Sequence, residues 1–333
     1  MRLSFPRVLS LAAIATVSLG LAAPAWAADH LSVQMAFYPQ GPQAYLFVAQ
    51  EKGWFKEAGL DVEILDGRGS NYSMQVISGG HADIGEGQLA PLASARDKGA
   101  KVKIIAEWFK KDGPAVIVPA DSDIKTPADL KGKKAVLIAS GPWPPILDPF
   151  FKLFKMTQQD VSLVYVDATS LFTTYATNKV DAMLTVDLAY SEANPMRPSR
   201  LLSAADYGVK LPGNGLFVTE DTLAKKRDAL VRFVRVAQRA IDYTYDGHEE
   251  EAAQDIRKMR PDAKLGVERL LSQIHMFGPL RPSPSTQGKP VGWQSEEDWI
   301  ERIAFLNEAK ILKQKHAPGD FFDNGIVEAA SKK

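Results

Sequence analysis

Short apolar stretches of strand length alternate with helix-length stretches that close at glycine along most of the chain, and this alternation constrains the fold more than any other feature. Residues 31–37 set Leu31, Val33, Met35 and Phe37 on one face of a strand. The turn Tyr38-Pro39-Gln40-Gly41 follows, and Pro42 suits the first position of a helix running to about Lys52 and stopping at Gly53. Residues 60–65 form the next strand, with Val62 and Ile64 on one face. Strand, helix and strand in this order predict a parallel sheet covered by helices, an α/β protein.

The pattern continues with helices expected over 70–78, 89–98, 145–155 and 171–177. Strands are expected over 82–85, 102–108, 116–119, 134–139, 162–166, 182–186 and 216–219. Beyond residue 220 the chain reads as largely helical, with long runs over 221–246 and 297–309. Gly and Pro gather near 112–118 and again near 212–218, where the chain is expected to cross between two lobes. Residues 28–115 with 217–333 would form lobe 1 and residues 116–216 lobe 2.

The first 27 residues read as a targeting segment and not as part of the fold. Arg2 and Arg7 precede an apolar run over 8–21, and Ala25-Trp26-Ala27 supplies small residues for cleavage after Ala27. The apolar run is shorter than the ~20 residues a membrane span needs. Removing this segment leaves 38 basic side chains against 40 acidic, a net of −2. With no basic excess, nucleic acid is not an expected partner. Cysteine is absent, which removes disulfides, thiolate metal sites, Cys nucleophiles and a lipid anchor on an N-terminal Cys. The five histidines have no helical metal-ligand spacing, and no hydrolase or metalloprotease motif occurs. No cofactor, no metal and no catalytic residue is expected.

Several segments resemble one family. Glu51-Lys52-Gly53-Trp54-Phe55 and Ala58-Gly59-Leu60-Asp61-Val62-Glu63 look like a conserved stretch of the NitT/TauT-type substrate-binding proteins of ABC transporters. Ala82-Asp83-Ile84-Gly85, residues 122–134 and Asn178-Lys179-Val180-Asp181-Ala182 resemble further elements of that family, in order, and residues 292–312 resemble the C-terminal helix of its pyrimidine-precursor and sulfonate-binding members. The resemblance implies a type II periplasmic binding protein fold: two lobes, two hinge strands and a ligand cleft between them. It implies a protein that closes on a small molecule and hands it to a membrane permease; since no cysteine can carry a lipid anchor, such a protein is expected in a Gram-negative periplasm, as a monomer. Related fungal pyrimidine synthases carry a Cys-rich motif that this chain lacks, so the resemblance points away from an enzyme.

In such a fold, ligand contacts come from loops after strand C-termini. Tyr38 could stack on a ligand ring and Gln40 orient it, or both could serve the turn. Arg68 and Ser70, at the start of the helix over 70–78, suit an anion or a carbonyl, or simply capping. Glu86 and Gln88 are read as a loop between strand and helix, with hydrogen bonds to a polar ligand edge. Trp108, Ser140, Trp143, Asp187 and Tyr190 complete the candidate set. Tyr38, Trp108, Trp143 and Tyr190 would place aromatic faces of both lobes around a planar or heterocyclic ligand. A small oxyanion such as an alkylsulfonate or carboxylate, read by Arg68 and helix N-termini, is the alternative. Trp54 and His81 are read as core and surface.

Overall fold

The computed structural model describes Met1 and residues 28–110, 113–139, 141–262, 265–281 and 283–332. The expected targeting segment, Met1 apart, and the candidate residue Ser140 lie outside these described residues. The chain opens with β1 (Asp29–Gln34), α1 (Ala44–Glu51), α2 (Trp54–Glu57), β2 (Leu60–Leu65), α3 (Ser70–Ser78), β3 (Ile84–Gln88), α4 (Ala90–Asp97) and β4 (Val102–Phe109). It crosses into β5 (Pro114–Pro119), β6 (Lys134–Ile138), α5 (Leu147–Leu153), β7 (Ser162–Val166), α6 (Leu171–Ala176), β8 (Ala182–Val186), α7 (Tyr190–Met196) and β9 (Ser199–Ser203). It returns through β10 (Asn214–Thr219) to α8 (Glu220–Lys225), α9 (Arg227–Thr244), α10 (Glu249–Met259), α11 (Val267–Phe277), α12 (Glu296–Glu308) and α13 (Gly325–Ala330).

Two five-stranded sheets result, in the orders β2-β1-β3-β10-β4 and β7-β6-β8-β5-β9. Within each, the strand that enters from the other lobe runs antiparallel to its neighbours: β10 against β3 and β4, β5 against β8 and β9. The remaining pairings, β1 with β2 and β3 and β6 with β7 and β8, are parallel. The carboxyl ends of the parallel strands therefore open next to the crossings, where an α/β sheet leaves a crevice. Pro114 and Ala115 already pair in the second sheet and Asn214 to Leu216 in the first, so both crossings precede the sequence-based boundaries.

Burial explains why each stretch takes its form. Edge strand β2 buries Leu60, Val62 and Ile64 and exposes Asp61 and Glu63, the period-two pattern of a strand covered on one face. β5 is buried at every position, as a strand covered on both faces must be. Helix α9 buries Leu230, Phe233, Val234, Ala237 and Ile241 at three- and four-residue spacing, and Phe233 stacks on Phe55 at 5.2 Å.

Three elements depart from the sequence reading. The helix expected over 221–246 breaks at Lys226, whose φ of −116° and ψ of 22° separate α8 from α9. β9 was not anticipated; its five residues, Ser-Arg-Leu-Leu-Ser, carry little strand signal and gain it by pairing with β5 at the sheet edge. β3 lies over Ile84–Gln88 and not over 82–85, because Gly-Glu-Gly-Gln pairs with β10, a ladder no local propensity predicts.

Helix α12 touches both lobes. Ser295 caps it by accepting from the Glu297 and Asp298 N–H groups. Trp299, Ile303 and Leu306 enter the lobe 1 core, whereas Phe305 enters that of lobe 2. Glu308 bonds Lys152 of α5 at 2.5 Å and Glu301 bonds Lys210 at 2.9 Å.

Candidate functional site in the cleft between the lobes

A cavity of about 510 Å³ lies between the lobes. Lobe 1 lines it with Ser70 and Asn71 at the start of α3, Gln88 at the end of β3, and Ala90 and Pro91 opening α4. Lobe 2 contributes Gly141, Pro142, Pro145 and Ile146, and the crossings contribute Gly113, Pro114, Leu211 and Pro212. Lys98, Lys310 and Lys313 also line it, so the wall combines apolar surface with hydroxyl and amide groups on lobe 1 and three ammonium groups, a composition suited to a small organic molecule with polar edges.

The lobe 1 floor depends on close backbone approach at β3. Gly87 has a φ of 148°, and a Cβ there would stand 2.6 Å from Ala36 Cβ and 3.1 Å from Ser70 Oγ. Only glycine tolerates this. Ser70 Oγ accepts from the Gln88 N–H at 3.2 Å, joining the α3 terminus to the strand. Of the candidate residues, Ser70 and Gln88 line the cavity, and they do so while bonded to each other.

Glu86 is corrected from a loop residue to a strand residue with no exposed surface. Its carboxylate accepts from the Ala36 N–H at 3.3 Å and from Gln43 Nε2 at 3.1 Å to each oxygen. It supports the floor from beneath. Gln40 is buried in the turn before α1, where its N–H donates to Gln43 Oε1 at 3.2 Å. Tyr38 is half-buried on that turn; burial raises its phenol and Glu192 of lobe 2 reinforces the rise, against a hydrogen bond to Gln40 and the charge of Arg269. Tyr38 packs against the lobe 1 core and does not line the cavity.

The expected aromatic sandwich does not form. Trp108 is 1% exposed and meets Tyr45 edge-on at 5.8 Å inside lobe 1. Trp143 is also 1% exposed; its Nε1–H donates to Thr185 O at 2.6 Å and its ring meets Phe150 at 4.7 Å, so it belongs to the lobe 2 core. Tyr190 packs on the other face of that sheet, its hydroxyl donating to Ser199 O at 3.3 Å. Each ring gains more by excluding water inside its own lobe than a cleft wall would provide. Arg68 is exposed, with its guanidinium 5.7 Å from the Tyr72 ring, and does not line the cavity. Asp187, 1% exposed, fastens the first crossing: its Oδ2 accepts from the Gly113 N–H at 3.2 Å and from Ser203 Oγ at 3.4 Å.

Sequence reasoning missed the polar knot beside the crossings. Glu107, on β4, is fully buried; it accepts from Lys110 Nζ at 2.9 Å, from Arg302 of α12 and, at 2.8 Å, from the Gly213 N–H of the return crossing. Burial alone would raise this carboxyl, but Arg302 and Lys110 outweigh it and hold it below its ordinary range. Burial pushes the Lys110 ammonium down, with Glu107 opposing. The residues lie far apart along the chain, so no local motif announces them. Among the described residues no group of three or more His, Asp or Glu side chains could hold a metal ion, and no helix is long and apolar enough to cross a membrane.

Comparison with known proteins agrees with this architecture. A Halalkalibacterium halodurans protein named as formylaminopyrimidine-binding is 22% identical over 333 aligned positions, covering 95% of this chain and 96% of its own length. A Haemophilus influenzae protein named for thiamine biosynthesis is 27% identical over 168 residues, 50% of this chain, and the match spans only 53% of that protein. A Saccharomyces cerevisiae 4-amino-5-hydroxymethyl-2-methylpyrimidine phosphate synthase is 26% identical over 230 residues, 65% of this chain and 67% of its own. Among solved structures, the periplasmic aliphatic sulphonate binding protein of Escherichia coli superposes with a TM-score of 0.69 at 17% identity, over 89% of this chain and 92% of that one. The family model described as NMT1/THI5 like matches residues 42–252, more than half of the chain, and the protein is therefore a member of the NMT1/THI5-like family.

Proposed function

We propose that the protein is the ligand-capturing component of an ABC importer, working in the periplasm as a monomer and delivering a small molecule to a membrane permease. The observation that carries this reading is the cavity itself: both lobes and both crossings line it, so relative movement of the lobes opens or encloses whatever it holds. The full-length likeness to a protein named as formylaminopyrimidine-binding supports a heterocyclic ligand. So does the wall, where Pro91, Pro142, Pro145 and Ile146 offer flat apolar surface and Ser70, Asn71 and Gln88 offer polar edges.

A small oxyanion is the second reading. It is favoured by the start of α3, where Ser70 and Asn71 face the cavity, and it does not use Arg68. The relatives named as synthases raise a third, an enzyme on the same fold. A thermal-shift screen of pyrimidines, alkylsulfonates and carboxylates tests all three. A compound at 100 times its Kd stabilises by about 2.7 kcal/mol, a shift of roughly 5–10 °C. Stabilisation by a pyrimidine that is recovered unchanged supports the first reading. Stabilisation only by sulfonates supports the second, and conversion of the bound compound supports the third.

A further inference from the structure

We infer that Gln273 is a positioning residue that couples closing of the lobes to placement of the turn before α1, which in turn braces the cavity floor. Gln273 sits on α11 of lobe 1 with no exposed surface. Its Oε1 accepts from the Gly41 N–H at 2.9 Å, and its Nε2 donates to Ser191 Oγ of α7, in lobe 2, at 3.2 Å. Ser191 Oγ donates onward to Leu188 O at 2.9 Å, so its lone pair is turned toward the amide. One side chain thus holds a loop of its own lobe and an element of the other.

The turn is built to receive that side chain. A Cβ on Gly41 would stand 2.5 Å from Gln273 Cβ and 2.7 Å from Ile274 N, so the backbone rests directly on α11. From the turn, Gln43 reaches Glu86 on β3, and Glu86 reaches the Ala36 N–H. A path of hydrogen bonds, joined from Gly41 to Gln43 by the backbone of the turn, therefore runs from α7 of lobe 2 through Gln273 to the strand under the cavity. Leu188 packs against the lobe 1 core at the same edge. All of these contacts are between protein atoms, so the path forms with lobe closure whatever the ligand. When the lobes part, the amide and the hydroxyl lose each other, and the Gln273 side chain that holds the Gly41 N–H loses one of its two anchors.

This inference rests on the capture reading, and its test separates the two. The chain has no cysteine, so Gln75→Cys on α3 and Thr173→Cys on α6, both exposed, accept spin labels that report the distance between lobes. In that labelled background Gln273→Leu and Ser191→Ala are each expected to shift the distance distribution toward longer values, changing the ratio of closed to open forms by about fivefold. Ser191→Ala is also expected to speed hydrogen exchange at the Gly41 amide, although Ser191 does not touch it. Unchanged distances in Ser191→Ala, or exchange at Gly41 that responds to Gln273→Leu alone, would overturn the coupling. If Gln273→Leu does not fold, Ser191→Ala decides by itself. A screening compound that still binds while the distances ignore both variants overturns the coupling and spares the capture reading. Distances that respond as expected in a protein that no compound stabilises do the reverse.

Discussion

Glu107 and Arg302 stand 195 residues apart in sequence and meet as a two-pronged ion pair, with Arg302 Nη1 3.0 Å from Oε2 and Nη2 2.9 Å from Oε1. The same carboxylate holds Lys110 just after β4 and the Gly213 N–H just before β10. Lys110 adds a bond from Nζ to Trp293 O at 2.7 Å. Both crossings between the lobes are therefore tied to α12, whose other contacts reach each lobe's core. A charge pair this deep survives only because every partner is satisfied.

Removing Arg302 should expose that dependence. Arg302→Met roughly keeps the volume and leaves Glu107 with Lys110 as its one cationic partner beside the Gly213 N–H, so the fold is expected to lose about 3–5 kcal/mol. A urea melt measures it. A loss below about 1 kcal/mol would mean that the knot contributes little to holding the crossings.

Trp143 was expected from the sequence to line the cleft, so that its loss would cost binding before folding. Its burial reverses this. Trp143→Ala deletes a core indole and its bond to the Thr185 carbonyl, and should cost about 3–5 kcal/mol of stability. Denaturant unfolding reads the loss, and a variant as stable as the parent would restore the cleft assignment.

Binding should respond instead at the start of α3. Using whichever compound gives the largest thermal shift, Asn71→Ala is expected to weaken affinity by about five- to tenfold through one lost hydrogen bond. Arg68→Ala should change it less than about twofold, since the guanidinium lies over Tyr72. Calorimetry on the two variants distinguishes them, and a larger effect at Arg68 would revive the oxyanion reading built on that residue.

Asp255 on α10 offers a pH test. Burial raises its carboxyl to about 6, and Glu251 and Glu51 add to the rise while Lys52 and Lys258 oppose it. The folded state thus binds this proton more tightly than the unfolded state, whose value is near the ordinary 3.8. The group costs nothing when both states are protonated, and its penalty grows as the pH rises from about 4 to about 6 and persists above. Asp255→Asn should therefore raise Tm by roughly 2–4 °C at pH 7.5, about what 1 kcal/mol is worth in a chain of a few hundred residues. The gain should vanish near pH 4. A gain of the same size at both pH values would show that the charge is not its source.

What the sequence determined by itself was the order of elements. The two-residue period of Leu60, Val62 and Ile64 and the glycine stops after the first helices act within a few residues, and they led to an α/β fold of two lobes. The start of α3 could be read for the same reason, as Ser70 follows a glycine and opens a helix. What the tertiary structure alone decided was the facing of the large and charged side chains. Trp108, Trp143 and Tyr190 sit beside cleft-forming loops in sequence, yet a side chain beside a loop turns inward or outward according to which neighbours exclude water from it. β3 took in Gly-Glu-Gly-Gln because β10, more than a hundred residues later, supplied the hydrogen bonds. The Glu107–Arg302 pair and the Gln273 bridge join distant segments, and a contact between residues so far apart leaves no periodicity or motif behind. Only the folded chain brings their charges and amides within reach.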